Sequence, residues 1–83
     1  MKLKNKKIHI IGIGGISLSA LARILVDWGN QVSGSDHVQS EITKSLEYAG
    51  IKVTYAHRAE NVRGKDIVIM SRSEEHTSEL QSR

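Results

Sequence analysis

The residues able to do chemistry fall into three groups: Gly12, Gly14, Gly15, Ile16 and Ser17; then Ser35 and Asp36; then His57 and Ser71. Gly12-x-Gly14-x-x-Ser17 has the spacing of a phosphate-binding fingerprint, with serine in place of the third glycine. Gly12 would make the turn and Gly14 would let a phosphate approach the backbone. Ser17 is small enough for a helix to pack near a strand, and its hydroxyl could donate to phosphate. Gly15 adds a glycine that a plain turn does not need. A helix starting at Ile16 would aim its free N–H groups and positive dipole end at this loop, making it an anion site. Asp36 could accept from a ribose hydroxyl or a base N–H, with an Asx turn or a helix cap as the alternative. Ser35 stands beside it. His57 could reach the same sheet edge or simply be solvated. His9 reads as structural and His37 as exposed. The four histidines show no metal-binding spacing, and no nucleophile–base pair can be assembled, so no catalytic or metal-ligating residue is assigned.

These residues need a scaffold, and the apolar pattern supplies one. Ile8, Ile10 and Ile11 suit a strand buried on both faces. Ile16 to Trp28 has helical spacing, with Leu18, Leu21, Leu25 and Trp28 on one stripe and Gly29 at the C-terminal cap. Residues 31–36 form a second strand ending in a polar turn. A second helix spans about Ser40 to Ala49, with Ser40 as N-cap and Ile42, Leu46 and Ala49 as its apolar stripe; Gly50 closes it. Residues 51–55 form a third strand, 56–64 a loop or one helical turn, and 66–71 a fourth strand whose continuous apolar run is of the parallel-sheet kind. Gly29-Asn30-Gln31-Val32 and Gly50-Ile51-Lys52-Val53 repeat the passage from helix to strand. The expected fold class is therefore α/β: a Rossmann-like, partial doubly wound parallel sheet in the order 3-2-1-4. Its switch point lies between strands 1 and 4, where Gly12 to Ser17 and Ser71 meet.

Composition narrows the functional classes. With 83 residues there is at most one small domain, and a chain of this size buries only about 60% of its unfolded surface. The formal charge is +3, much of it from Lys2, Lys4, Lys6 and Lys7, but no aromatics interleave with these lysines and no nucleic-acid motif follows. There is no cysteine, no apolar run of membrane-spanning length and no cleavage-site pattern, so the expectation is a cytoplasmic protein without nucleic-acid or membrane partners. Residues 72–83 lose all periodicity and resemble the peptide read from a translated sequencing adapter. The expected division is thus 1–71 as an incomplete native domain and 72–83 as a non-native, disordered tail.

Taken together, these motifs resemble the N-terminal segment of the Mur ligase family. The run from Ile8 to Ala22, with His9 ahead of Gly12-Ile13-Gly14-Gly15, is similar to the family's first motif, although Leu18 stands where it usually has Met. Val32 to Asp36 is similar to its second-strand signature. Gly50-Ile51-x-Val53, His57 and Ala59-Glu60-Asn61-Val62 resemble its Gly-x-x-Val…Gly-His…Asn pattern, with Ala56 in place of the Gly before His57. Asp66 to Ser71 resembles its fourth strand. The resemblance covers roughly residues 7–71. It implies an ATP- and Mg-dependent parent enzyme that phosphorylates the lactyl carboxylate of UDP-N-acetylmuramate, which the amino group of L-alanine then attacks in peptidoglycan synthesis. It implies that this segment holds the UDP part. Gly14, Gly15, Ile16 and Ser17 would meet the pyrophosphate, with Gly12 making the turn; Ser35 and Asp36 would lie near the uridine, and His57 and Ser71 would face the same crevice. The family's P-loop, metal-binding carboxylate and alanine-binding domain have no counterpart here, so the chain alone is expected to be inactive. Two other readings stand beside this one: the NAD(P)-binding half of an oxidoreductase, and a truncated chain without function.

Overall fold

The computed structural model describes residues 3–71; the tail assigned to 72–83 lies outside the described residues. Four strands, β1 (Lys7–Ile11), β2 (Gln31–Ser35), β3 (Lys52–Thr54) and β4 (Ile67–Met70), form an all-parallel sheet in the order β3-β2-β1-β4. Helices α1 (Ile16–Asp27) and α2 (Glu41–Tyr48) make the first two crossovers, and a short 3-10 helix (Ala59–Val62) lies in the third. The order is the expected one.

Register divides the sheet into two chemically different faces. Ile8 lies opposite Val32 and Ile67, and Ile10 opposite Gly34 and Ile69, so these residues share a face. That face meets the helices: Ile8, Ile10, Ala22 and Leu46 are fully buried, with Leu25, Val32 and Ile51 closing the core around them. The other face carries His9, Ser33, Ser35 and Ile11, and the crossover after β3 runs over it. Strand β1 is thus buried on both faces, but only one is apolar. Strand β4 departs from the expectation of a fully buried strand. Ile67 and Ile69 are half-buried on the helical face, whereas Val68 and Met70 are exposed on the other, because β4 is an edge strand among the described residues.

The repeated glycine signal is explained by two identical helix ends. After α1, Gly29 adopts a φ of 96° and its N–H donates to Val26 O, while Asn30 N–H donates to Leu25 O. After α2, Gly50 has the same φ, its N–H donates to Glu47 O, and Ile51 N–H donates to Leu46 O. Both are Schellman motifs, which need a left-handed residue where each glycine stands. The second brings Ile51 and Leu46 together in the core. These ends also correct the expected stripes. Trp28 is the C-cap of α1 and is 41% exposed; Ala22 takes the buried place instead. Ala49 is likewise a cap residue and exposed. Thr43 is buried in α2, because its hydroxyl completes the Ser40 capping box and accepts from Tyr55 Oη at 3.0 Å.

One contact joins β2 to the turn after β1. A Cβ at Gly34 would lie 2.3 Å from Ile13 Cδ1 and 2.6 Å from Ile13 Cβ, so the Ile13 side chain occupies the space above Gly34. Ile13 is itself fully buried, and its Cβ moves only with its backbone, so a new rotamer alone does not relieve the clash. Chemical denaturation of the 83-residue chain should show Gly34→Ala less stable by about 1–3 kcal/mol, the usual range for overpacking a filled core. Gly15→Ala should cost less than about 1 kcal/mol, since its Cβ would meet nothing closer than Gly12 O at 3.5 Å.

Candidate functional site

The glycine loop lies at the carboxyl edge of the sheet, between β1 and α1. Gly12 has a φ of 84°, a left-handed conformation that an L side chain would strain. Gly12 and Ile13 both donate to Ser35 O, at 2.8 and 3.1 Å, and Gly15 N–H donates to Gly12 O at 3.0 Å. The chain therefore turns back over the end of β2 before entering α1. The first hydrogen bond of the helix runs from Ser19 N–H to Gly15 O. The N–H groups of Ile16, Ser17 and Leu18 precede it and point toward the loop. No side chain caps this end and no acidic residue lies in the first turn. By contrast, α2 has both a capping box and Glu41 in its first turn. Ile16 is 80% exposed and Ser17 is exposed beside it. The Gly12 to Gly15 amides are all bonded within the chain, so it is the open end of α1 behind the loop that offers backbone donors and a positive dipole end to an anion.

Gly14 takes its close approach from within the chain. Its N–H donates to Asp36 Oδ2 at 2.8 Å, and a Cβ there would lie 2.7 Å from the same oxygen. The second Asp36 oxygen accepts from His37 N–H at 2.8 Å, with Val38 N–H at 3.4 Å. Asp36 thus forms an Asx turn and ties the end of β2 to the glycine loop. This gives Gly14 a reason that its spacing alone did not show. The three sequence groups do converge. Ser35 and Asp36 follow one another at the end of β2. Ser71 follows Met70, the register partner of Ile11, at the carboxyl end of β4. His57 reaches Ser35 Oγ from the loop after β3, at 2.7 Å.

Beneath His57 lies a cleft of about 240 Å³, lined by His9, Ile11, Ser35, Arg58, Asn61 and Val62 among others. It is small beside the ~300–1,000 Å³ of pockets that enclose a drug-sized ligand, so it suits part of a larger ligand. Asn61 braces the rim by donating from Nδ2 to Ala56 O at 2.8 Å. His9, read from the sequence as structural, is buried and bonded on both ring nitrogens: Nδ1 to Ser33 Oγ at 2.9 Å and Nε2 to Ser35 Oγ at 3.2 Å. Its joining to a site residue was not foreseen. The available signal was its place two residues ahead of Ile11 on the face shared with Ser33 and Ser35. Among the described residues no group of three or more His, Cys, Asp or Glu could hold a metal.

Burial holds the His9 pKa below its ordinary value, helped by the positive charge of Lys65 and by His57. In the unfolded chain His9 takes up a proton as pH falls through about 6.5, whereas the folded chain resists this until lower pH. Stability should therefore be level above that value and decline below it. Thermal unfolding followed from about pH 7.5 to about pH 5.5 should show a falling Tm, with a smaller fall in His9→Gln.

Comparison with known proteins agrees with this geometry. The model of the Mur ligase family, catalytic domain, matches residues 7–82. A UDP-N-acetylmuramate–L-alanine ligase of Campylobacter jejuni is 53% identical over 66 residues, covering 80% of this chain and 15% of that protein. Its counterpart in Clostridium novyi is 46% identical over 69 residues, covering 83% of this chain and 15% of that protein. The crystal structure of UDP-N-acetylmuramate-alanine ligase from Thermotoga maritima superposes with a TM-score of 0.75 at 36% identity, over 95% of this chain and 20% of that one. The chain thus spans about 15% of the length of these curated relatives. With the parallel sheet in the expected order and the glycine loop at its switch point, the conclusion is that this chain belongs to the Mur ligase family.

Proposed function

We propose that residues 1–71 are the N-terminal, UDP-sugar-binding segment of a cytoplasmic ligase that joins L-alanine to UDP-N-acetylmuramate, and that residues 72–83 are not native to it. The observation that carries this reading is the uncapped, acid-free N-terminus of α1 behind the glycine loop, an anion site in a fold whose relatives act on a UDP-sugar. In this role the free N–H groups of Ile16, Ser17 and Leu18 bind the pyrophosphate, and the Ser17 hydroxyl adds a donor; the Gly14 and Gly15 amides, expected there from the sequence, are instead held by Asp36 Oδ2 and Gly12 O. Gly12 sets the turn, and Gly14, held by Asp36, fixes the loop's shape. Ser35, His57 and Ser71 lie along the crevice that takes the uridine end. Among the described residues no helix is long and apolar enough to cross a membrane.

The full reaction needs more than this chain holds. ATP would activate the lactyl carboxylate as an acyl phosphate, with Mg balancing the phosphate charge. The residues present do not fit either group. The glycine loop runs into Ile16-Ser17 without the Gly-Lys-Ser or Gly-Lys-Thr of a P-loop, the Lys44-Ser45 pair lies inside α2 with no glycine before it, and no metal-holding cluster exists among the described residues. The chain's own contribution is to bind and orient the nucleotide.

Calorimetry with UDP-N-acetylmuramate and with NAD separates the two nucleotide readings: the UDP-sugar should bind and NAD should bind more weakly or not at all. Preferential NAD binding would overturn the proposal. Ser17→Ala, at an exposed position, should leave the thermal transition unchanged and weaken UDP-sugar binding by roughly three- to tenfold, the effect of one hydrogen bond. Mixed with ATP, L-alanine and UDP-N-acetylmuramate, the chain should release no phosphate.

A further inference from the structure

The polar face of the sheet carries a continuous file of hydrogen bonds that ends at the cleft. Ser33 Oγ meets His9 Nδ1, His9 Nε2 meets Ser35 Oγ, and Ser35 Oγ meets His57 Nδ1, at 2.9, 3.2 and 2.7 Å. Each serine has one proton to donate, and the neutral His9 ring has one N–H. The file therefore has two self-consistent proton arrangements. In one, every donor points from Ser33 toward His57, whose Nδ1 accepts and whose Nε2 carries the outward N–H. In the other, every donor points back and Nε2 is an outward acceptor. Among the described residues His57 Nε2 has no hydrogen-bond partner.

The charges around the file choose between them. Lys52 is the register partner of Ser33, and Lys52 and Lys65 line a second cleft with Ser33 and His9. Two ammonium groups at the Ser33 end favour lone pairs there and donors pointing away. Glu60 also lines that cleft, but it is one carboxylate against two ammonium groups and lies 3.8 Å from the Arg58 guanidinium, so the charge facing the Ser33 end stays positive. The His37 ring meets the His57 ring edge-on at 4.2 Å and limits its rotation.

We propose that His9 and Ser35 are positioning residues that hold His57 with Nε2–H directed outward, so that the site offers a hydrogen-bond donor to an acceptor oxygen of the nucleotide. The identity of the ligand rests on the function proposed above; the relay itself does not. His57 then binds a pyrimidine carbonyl or a phosphate oxygen, and the residues behind it determine its specificity for acceptors. A buried histidine two strands away thereby acts on the ligand without touching it.

Ring-nitrogen NMR of the 83-residue chain at about pH 8, where an ordinary histidine is neutral, tests the relay. His57 should show a protonated Nε2 and an unprotonated Nδ1 with the shift of a hydrogen-bond acceptor. Ser35→Ala should abolish that Nδ1 shift, and His9→Phe should alter it, while the sheet amide signals persist. UDP binding should weaken roughly three- to tenfold in Ser35→Ala, with little further loss when His9→Phe is added, because the file is already cut. Uridine and inorganic pyrophosphate, titrated separately, show which oxygen is read. Should His9→Phe fail to fold, Ser33→Ala cuts the same file at a half-buried position and should still perturb His57 Nδ1. A protonated Nδ1 in the unaltered chain, or His57 signals and UDP affinity indifferent to these substitutions in a folded sheet, would overturn the relay. If UDP does not bind the unaltered chain but the His57 signals respond as described, the relay stands and the nucleotide assignment falls.

Discussion

The structure depends on the seating of Ile13 over Gly34. A side chain at residue 34 would collide with Ile13, and a different conformation at Gly12 would not bring Ile13 there. With Ile13 buried, the Gly12 and Ile13 amides reach Ser35 O, and the chain is delivered to Gly15 at an angle that lets α1 begin. The phosphate-type loop is therefore shaped by apolar packing beneath it as much as by glycine freedom. Buried isoleucine cannot shift without opening a void, so the open donors of the first turn of α1, which the loop positions, are held without help from a ligand. That is the preorganisation an anion site needs.

The sheet divides its work between faces. The helical face is apolar and makes the core; the opposite face is partly polar and leads to the cleft. Polar side chains inside a small domain are costly unless they are satisfied. His9, Ser33 and Ser35 meet that requirement by bonding to one another, and the file they form ends at His57, on the surface. One set of hydrogen bonds thus stabilises a buried strand and links it to the site.

Much of this was legible in the sequence. Strand order followed from alternating apolar segments and the handedness of crossovers, and the two helix ends followed from Gly29 and Gly50. Ser40 announced the start of α2 because a serine cap acts locally. What was not legible depended on contacts between distant segments. Gly14 and Asp36 are 22 residues apart, and only the folded turn brings the amide to the carboxylate. Gly34 within a strand was a sign of close approach, but nothing in its neighbourhood named Ile13 as the partner. Trp28 was placed in the core by periodicity, which cannot see that the helix stops one residue earlier. His9 was read as structural because a lone histidine in an apolar strand has no visible partner; Ser33 and Ser35 become its partners only through the parallel register.

The two helix starts make the final distinction between a fold feature and a site. Both helices leave the carboxyl edge of the same sheet, so both aim a dipole end and free amides in that direction. In α2, Ser40 Oγ accepts from the Thr43 amide, Thr43 Oγ1 accepts from the Ser40 amide, and Glu41 offsets the dipole. In α1 the cap position is glycine, the first turn has no acid, and an isoleucine stands exposed. A chain selected only for stability would close both ends alike, at about 1 kcal/mol for a good cap. Leaving one open, beside a loop already fixed by Ile13 and Asp36, is a local loss of stability. It is intelligible when an external anion supplies the missing acceptor.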